Sequence, residues 1–159
     1  MIAEILCMTV VSLGMPNAEY ACEHMNTVVG AAEENNVKPE VLVSLIYHES
    51  RWVPTAVSKD TACGLTQVLP KYTRNPKLTC EDLKDPTTSI FTGAKKLNYW
   101  VYKYGKGRYK TGLCGYNSGF RCKGETPKKK GVLYSQKVLK YARKIKRKYS
   151  KIFDTLAIN

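Results

Sequence analysis

Apolar residues recur at intervals of three and four along most of this chain, which is the spacing of α-helices. Between Glu19 and Glu34, Ala, Met and Val repeat in this way with few helix breakers, and Asn35-Asn36 supplies a stop. Pro39 suits the first turn of a second helix, which we expect to run to about Arg51. No segment shows a convincing strand pattern or an internal repeat, so the pattern predicts a mainly α fold.

The middle of the chain is interrupted more often by Pro, Gly and Asn. The pattern predicts a short helix near Leu65–Leu69, ended by Pro70. Thr87 or Thr88 is then expected to cap a helix that runs from about Ser89 to Tyr104. Four apolar residues of that helix form one stripe and are predicted to be buried: Ile90, Ala94, Leu97 and Val101.

The C-terminal third of the chain becomes strongly basic. Thr111–Tyr116 is predicted to be a short buried helix, and a basic loop follows from Gly119 to Lys130, ended by Gly131. In residues 132–159, apolar residues lie on one face and Lys and Arg nearly fill the other, which predicts a basic amphipathic helix packed on the domain. The apolar face comprises Val138, Ala142, Ile145, Tyr149 and Ile152.

Chain length limits the number of domains, and net charge indicates the class of ligand. A chain of 159 residues with 43% hydrophobic content is long enough for one compact domain and too short for two comfortable ones. The net charge is +13, and 13 of the 26 Lys and Arg lie between Arg121 and Lys151. Such a field attracts polyanions, which include nucleic acid, acidic lipid and anionic cell-wall polymers. Charge alone does not choose among them.

Residues 1–21 form an apolar N-terminal segment that resembles a short secretory signal. Its first 18 residues carry one charged side chain, Glu4, and an apolar stretch runs from Ile5 to Val11. Cleavage is expected after Ala18 or Ala21. The alternative is a retained apolar helix that packs on the domain. Nothing else in the chain is apolar for long enough to cross a bilayer.

Six cysteines are many for a cytosolic protein of this size. They predict disulfides, because no pair shows Cys-x-x-Cys spacing and the two His residues lie far apart in sequence; we expect no metal and no cofactor. We predict the pairs Cys63–Cys80 and Cys114–Cys122, each worth about 2–4 kcal/mol. Cys7 and Cys22 can pair only if the N-terminal segment is retained. The alternative is that the cysteines are reduced and lie in the core.

Glu49 lies on the buried face of the helix that begins at Pro39. The apolar residues of that face are Val41, Leu42, Leu45 and Ile46. Burial disfavours the charged form of a carboxyl group and raises its pKa, so the group can donate a proton at neutral pH. Breaking a glycosidic bond requires such a donor. The alternative is a helix-terminal Glu paired with a nearby Lys or Arg.

Several short motifs follow one another in an order that is more specific than any one of them. They are Glu49-Ser50-Arg51-Trp52 with Pro54 and Ser58, Gly64-Leu65-Thr66-Gln67, Asp85-Pro86 with Gly93-Ala94 and Leu97, and Tyr116-Asn117-Ser118-Gly119. Together they resemble the lytic transglycosylase family of the soluble type, over roughly Val37 to Lys123. The resemblance implies one lysozyme-like catalytic domain, residues 22–131, that acts on peptidoglycan.

The resemblance also implies roles for five residues. It makes Glu49 the general acid and then the general base, with Ser58 and Tyr116 able to hydrogen-bond near its carboxyl group. Gln67 and Asn117 match positions that line the saccharide groove.

Some of these positions have other interpretations. Tyr116 and Gln67 can instead be packing and helix-tie residues, and we expect Ser50 to make a helix-end hydrogen bond. Thr66 stands where the family usually has Met, which affects subsite preference rather than chemistry.

The implied reaction cleaves the β-1,4 bond between N-acetylmuramic acid and N-acetylglucosamine and leaves a 1,6-anhydromuramyl end. One carboxyl group suffices for it, that of Glu49. The alternatives are a hydrolytic muramidase, which needs a positioned water and Asp60, and a non-catalytic polyanion-binding module. We expect a monomer that binds peptidoglycan glycan strands and not nucleic acid, without a membrane span in its mature form. It is expected to be periplasmic, extracellular or virion-associated, in a bacteriophage or a secretion system.

Overall fold

The computed structural model describes residues 1–157 and shows a mainly α domain, as the periodicity predicts. The predicted C-terminal helix includes residues 158 and 159, which lie outside the described residues. Strand pairing within residues 1–157 is limited to two isolated bridges that share Cys63. A 3-10 turn spans Pro70–Tyr72 and a π-helical turn spans Tyr99–Tyr104. The α-helices are α1 (Ile2–Ser12), α2 (Ala18–Glu23), α3 (Met25–Glu34), α4 (Pro39–Ser50), α5 (Cys80–Lys84), α6 (Pro86–Asn98), α7 (Tyr109–Ser118) and α8 (Lys129–Ala157).

The single helix predicted from Glu19 to Glu34 is divided at His24 into α2 and α3. His24 has φ −103° and ψ 6°, which lies outside helical geometry. The Cys7–Cys22 disulfide joins α2 to α1, whereas α3 packs on α6. Both helices contact α1, but α3 also packs on α4 and α6, and the chain turns between the two helices. The periodicity of the apolar residues does not predict the turn at His24.

α4 runs through the core and carries Glu49 in its last turn. It begins at Pro39, as predicted, and ends at Ser50, because Arg51 adopts the left-handed conformation with φ 52°. It packs against α3 and α8. The apolar side chains on its inner face have no exposed surface: Leu42, Leu45 and Ile46.

The helix predicted at Leu65–Leu69 is wrong, and a compact turn stands there instead. Gly64 and Gln67 have φ +78° and 50°, and a right-handed α-helix cannot include such residues. A Cβ on Gly64 would lie 1.8 Å from the carbonyl oxygen of Leu83 in α5. Gly64 is therefore needed both for its conformation and for its close approach to α5.

α6 begins earlier than predicted, because Asp85 caps it and neither Thr87 nor Thr88 does. The Asp85 carboxylate accepts a hydrogen bond of 2.8 Å from the N–H of Thr88, and Pro86 occupies the first turn. Beyond Asn98 the helix continues as the π-helical turn. The predicted buried stripe is confirmed, and all four of its residues have no exposed surface: Ile90, Ala94, Leu97 and Val101.

α7 and α8 pack against each other along one side of the domain. α7 includes the short helix predicted at Thr111–Tyr116. α8 begins at Lys129, before Gly131, so this glycine does not end the basic loop as predicted. Its missing side chain instead lets α8 approach α7, where a Cβ would lie 2.6 Å from the Ser118 hydroxyl oxygen. Val138, Ala142 and Ile145 of the predicted apolar face are buried.

Disulfides join all six cysteines. The two predicted pairs, Cys63–Cys80 and Cys114–Cys122, are confirmed. Cys7–Cys22 is also present, which is the pairing expected if the N-terminal segment is retained.

α1 packs in the domain as the retained-helix alternative describes. Leu6 and Val10 are buried in the main core, and α1 contacts α3 and α8. The indole N–H of Trp52 donates to the sulfur of Met15, just beyond α1, at 3.2 Å. Cleavage within residues 1–21 stays a prediction. None of the helices between residues 1 and 157 is both long enough and apolar enough to span a membrane.

Candidate active site

Glu49 lies where α4 faces α8, and its carboxylate contacts one side chain of α8. The Tyr134 hydroxyl donates to Glu49 Oε1 at 2.5 Å. Burial raises the pKa of Glu49 to about 7, while the Tyr134 hydrogen bond and the positive charge of Lys130 act in the opposite direction. At neutral pH the group is therefore divided between its acid and its carboxylate form. It can donate a proton in one step and accept one in the next.

Two tyrosines stand beside this carboxyl group. Tyr134 comes from α8 and Tyr116 from α7, and the Tyr116 hydroxyl donates to the carbonyl oxygen of Thr66 at 2.8 Å. Burial raises the pKa of both phenols well above the usual value, and the charge of Glu49 raises them further. Both hydroxyls therefore stay protonated and act as hydrogen-bond donors across the neutral pH range.

The turn that carries Gly64 and Gln67 is tied to the end of α4. The Ser50 hydroxyl contacts the Ile46 carbonyl oxygen at 3.2 Å and the Leu65 carbonyl oxygen at 2.8 Å, which confirms the expected helix-end hydrogen bond. The Gln67 side-chain amide donates to two carbonyl oxygens within the turn region, those of Ala56 at 2.9 Å and Gly64 at 3.0 Å. Gln67 thus makes the contacts of a tie residue.

Ser58 and Asp60 lie in the exposed loop before this turn. The Ser58 hydroxyl oxygen accepts a hydrogen bond from the N–H of Ala62 at 3.0 Å, and no hydrogen bond joins it to Glu49 among the described residues. Asp60 is exposed and makes no ion pair among residues 1–157. Within that range, no cluster of three or more His, Cys, Asp or Glu side chains could hold a metal ion.

Thr66, the departure from the family pattern, is completely buried. Its hydroxyl donates to the carbonyl oxygen of Ser89 in α6 at 2.7 Å. A Cβ on Gly93 would lie 2.4 Å from the Thr66 side chain, so the two elements are in close contact here. The hydroxyl that replaces a thioether is satisfied inside the protein.

A groove of about 830 Å³ runs between the end of α4, the end of α7 and the start of α8. It adjoins Glu49 through Tyr134, which lines the groove and contacts the carboxylate. Asn117 lines the groove, as the resemblance implies. The other predicted site residues, Glu49, Ser58, Gln67 and Tyr116, are not among the lining side chains. The lining residues are Tyr47, His48, Arg51, Asn117, Lys128, Lys129, Lys130, Leu133, Tyr134 and Lys137.

Tyr134 and Lys130 are the residues near Glu49 that sequence reasoning missed. Tyr134 lies four residues before Val138, so the apolar stripe of α8 extends back to it at helical spacing. That periodicity predicts that Tyr134 faces the core. It does not indicate that its hydroxyl meets a residue 85 positions earlier in the chain. No local signal marks Lys130 among the neighbouring lysines.

Two comparisons with known proteins bear on the whole domain. The family model for the Transglycosylase SLT domain matches residues 26–139, which includes the first part of α8. The fold is similar to that of an inactive mutant of the lytic transglycosylase Slt from Pseudomonas aeruginosa, with a TM-score of 0.70 and 22% sequence identity. That match covers 80% of this chain but 24% of the other, so this chain spans about a quarter of its length. The family match covers more than half of the chain, and the chain therefore belongs to the Transglycosylase SLT domain family.

Proposed function

We propose that this chain is a peptidoglycan lytic transglycosylase that cleaves the β-1,4 bond between N-acetylmuramic acid and N-acetylglucosamine. The observation that carries the proposal is Glu49, which has a pKa raised to about 7 and a protonated Tyr134 as its hydrogen-bond donor. In the described part of the chain, none of the groove-lining residues is acidic. A site with one carboxyl group suits a reaction in which the substrate supplies its own nucleophile.

The first step separates the two sugars. Protonated Glu49 gives its proton to the bridging oxygen, the bond from that oxygen to C1 of the muramic acid residue breaks, and the glucosamine residue leaves as an alcohol. Positive charge then develops at C1, where the substrate's own N-acetyl group stabilises it. Glu49 is left as a carboxylate and accepts the Tyr134 hydrogen bond.

The second step closes a ring. The Glu49 carboxylate removes the proton of the 6-hydroxyl of the muramic acid residue, and the freed oxygen bonds to C1. The product is a 1,6-anhydromuramyl end, and Glu49 returns to its protonated form. No water enters the product, so one group with a pKa close to neutrality performs both proton transfers.

The other predicted site residues take supporting roles in this proposal. Asn117 lines the groove, where we expect it to hydrogen-bond saccharide, while Tyr116 and Gln67 hold the turn at the end of α4. Ser58 is accessible in its loop for a hydrogen bond to bound sugar. The catalytic unit includes the start of α8, because that helix supplies Tyr134.

Product mass tests the proposal directly. Purified peptidoglycan is incubated with the intact protein and with Glu49→Gln, and the released muropeptides are weighed by mass spectrometry. We expect anhydro ends, lighter by one water than reducing ends, from the intact protein and none from Glu49→Gln. Reducing ends would identify a hydrolytic muramidase instead. Release of muropeptides by Glu49→Gln at the rate of the intact protein would rule out Glu49 as the general acid.

The cellular setting is part of the proposal. Three disulfides are typical of proteins that work in an oxidising compartment. We place the protein, as a monomer, in the periplasm, outside the cell or in a virion, where peptidoglycan is reachable.

A further inference from the structure

Half of the ten residues that line the groove are cations, which we call the cationic rim: Arg51, Lys128, Lys129, Lys130 and Lys137. All five side chains are exposed, and none makes an ion pair with an acidic residue within residues 1–157. The rim carries +5, and no acidic residue in the described part of the chain lines the groove.

Three of the five cations lie close enough to act on the groups around the site. Lys130 lowers the pKa of Glu49, and Lys137 and Arg51 add to the effect of burial in lowering the pKa of His48. Gathering like charges without partners costs free energy. A rim of this kind therefore indicates an anionic ligand group beside the reacting bond.

The sugar rings of a glycan strand do not supply that group. In a strand that carries its stems both sugars are neutral, because the lactyl carboxyl group of the muramic acid residue is joined to the stem as an amide, and such sugars are recognised by hydrogen bonds and apolar contacts. The carboxylates of peptidoglycan lie on the peptide stem, which is attached to the muramic acid residue, the same sugar whose bond Glu49 would cleave. Carboxylates and ammonium or guanidinium groups make charge-assisted hydrogen bonds.

Resting on the proposed function, we infer that the cationic rim binds the carboxylates of the peptide stem. The preferred substrate is then a glycan strand that still carries its stems, and strands stripped by an amidase, which keep only the lactyl carboxylate of each muramic acid residue, bind more weakly. Asn117 and Tyr134 lie on the same groove, so saccharide and stem can be bound together.

The test compares two triple variants of equal charge change. Lys128→Gln/Lys129→Gln/Lys137→Gln removes three rim charges but leaves Lys130, which acts on Glu49, and Arg51, which ends α4. Its control, Lys146→Gln/Arg147→Gln/Lys151→Gln, removes three charges from a second basic surface further along α8. Both variants replace three charged side chains by polar uncharged ones and lower the net charge equally.

Binding is measured on the Glu49→Gln background, so that the readout does not depend on cleavage. The probes are a soluble disaccharide that carries its peptide stem and the same disaccharide with its lactyl carboxyl group capped as a neutral amide, titrated by calorimetry at low salt. We expect the stem to tighten binding about fivefold or more, and the rim variant to reduce this preference to about one. The control variant should keep the preference, and 0.5 M salt should weaken it in the parent.

Two outcomes would overturn the inference: equal affinity of the parent for both probes, or equal loss of preference in rim and control variants. The second would mean that the net charge of the protein, and not this rim, attracts the stem. Cleavage by Glu49→Gln in the product assay would overturn the proposed function instead. Failure of the inference is therefore seen in the binding titration, and failure of the proposed function in the product assay.

Discussion

At the scale of single residues, activity should depend on the contact between the Tyr134 hydroxyl and the Glu49 carboxylate. The hydrogen bond favours the ionised carboxylate, so Tyr134→Phe raises the pKa of Glu49 further above its ordinary value. Activity falls at high pH because the acid loses its proton. We therefore expect the alkaline limb of the rate profile to move to higher pH and the maximal rate to fall about tenfold.

Tyr149→Phe is the matched control for this prediction. Tyr149 lies on the same helix, away from the site, and stacks on Phe153. We expect its rate profile to coincide with that of the intact protein. An unshifted profile for Tyr134→Phe would show that the hydroxyl does not act on Glu49.

Glu49 should also make stability depend on pH. Its pKa is about 7 in the folded protein against 4.5 for the free side chain, so the folded state binds more protons between those values. The pKa is raised, and the penalty of burying the charge therefore grows as pH rises from about 4.5 to 7. Relative to the intact protein, Glu49→Gln should gain about 2–3 kcal/mol of unfolding free energy between pH 4.5 and pH 8.

Urea unfolding of both proteins at the two pH values measures this gain. Other titrating groups are common to both proteins and cancel in the difference. A constant difference across the pH range would mean that Glu49 is ionised in the folded protein at an ordinary pKa.

At the scale of elements, two disulfides of similar loop length should differ in their effect on activity. Cys63–Cys80 and Cys7–Cys22 close loops of sequence separation 17 and 15, so replacing either pair by Ser should cost about 3 kcal/mol of stability. Cys63 precedes the turn to which Ser50 and Tyr116 are bonded. Loss of Cys63–Cys80 should therefore also lower kcat.

The Cys7–Cys22 pair is the control, because it joins α1 to α2 and neither cysteine lines the groove. At a temperature where both variants are folded, we expect kcat to fall about tenfold for the first and to stay unchanged for the second. Equal kcat values would show that the Gly64–Gln67 turn does not need this crosslink.

Gly64 and Gly107 have nearly the same φ, so the stability losses of their Ala variants distinguish the cost of conformational strain from the cost of close packing. Gly64 (φ +78°) has no room for a Cβ against Leu83, whereas Gly107 (φ +82°) has no atom within 4 Å of that position. Gly107→Ala should cost about 1 kcal/mol, the strain of the left-handed conformation alone. Gly64→Ala should cost about 3 kcal/mol or more, because α5 must also move. Thermal unfolding of both variants measures the difference, and equal losses would contradict the close contact.

At the scale of the whole molecule, the net charge of +13 should produce binding to many polyanions without selecting one. We expect single-stranded nucleic acid to bind weakly and to be released between 50 and about 200 mM salt. Binding of Glu49→Gln to insoluble peptidoglycan should persist at that salt, because hydrogen bonds and apolar contacts to sugar are less screened. Co-sedimentation and fluorescence anisotropy compare the two ligands. Tighter binding to nucleic acid at 200 mM salt would favour the binding-module alternative.

Particular residues show how far sequence reasoning reaches. Glu49 and the buried stripe of α6 follow from periodicity, since a helix must bury its apolar face. The sequence predicts Thr87 or Thr88 as the cap of α6, whereas Asp85 caps it, because several side chains near a helix start can accept hydrogen bonds from the same N–H groups. The turn at Gly64 was interpreted as a helix, since left-handed backbone at Gln67 leaves no mark in the pattern of apolar residues.

The sequence by itself determined the mainly α fold, the family, the acid at Glu49 and two of the disulfides, all of which depend on local spacing or on ordered motifs. Only the tertiary structure decided which groups surround that acid. Tyr134 and Lys130 reach Glu49 because α8 crosses α4, and beyond the break at His24 the helix α3 packs on α4 and α6 as well as on α1, the helix that α2 contacts. Contacts between distant segments depend on how whole faces pack, and no short stretch of sequence contains that information.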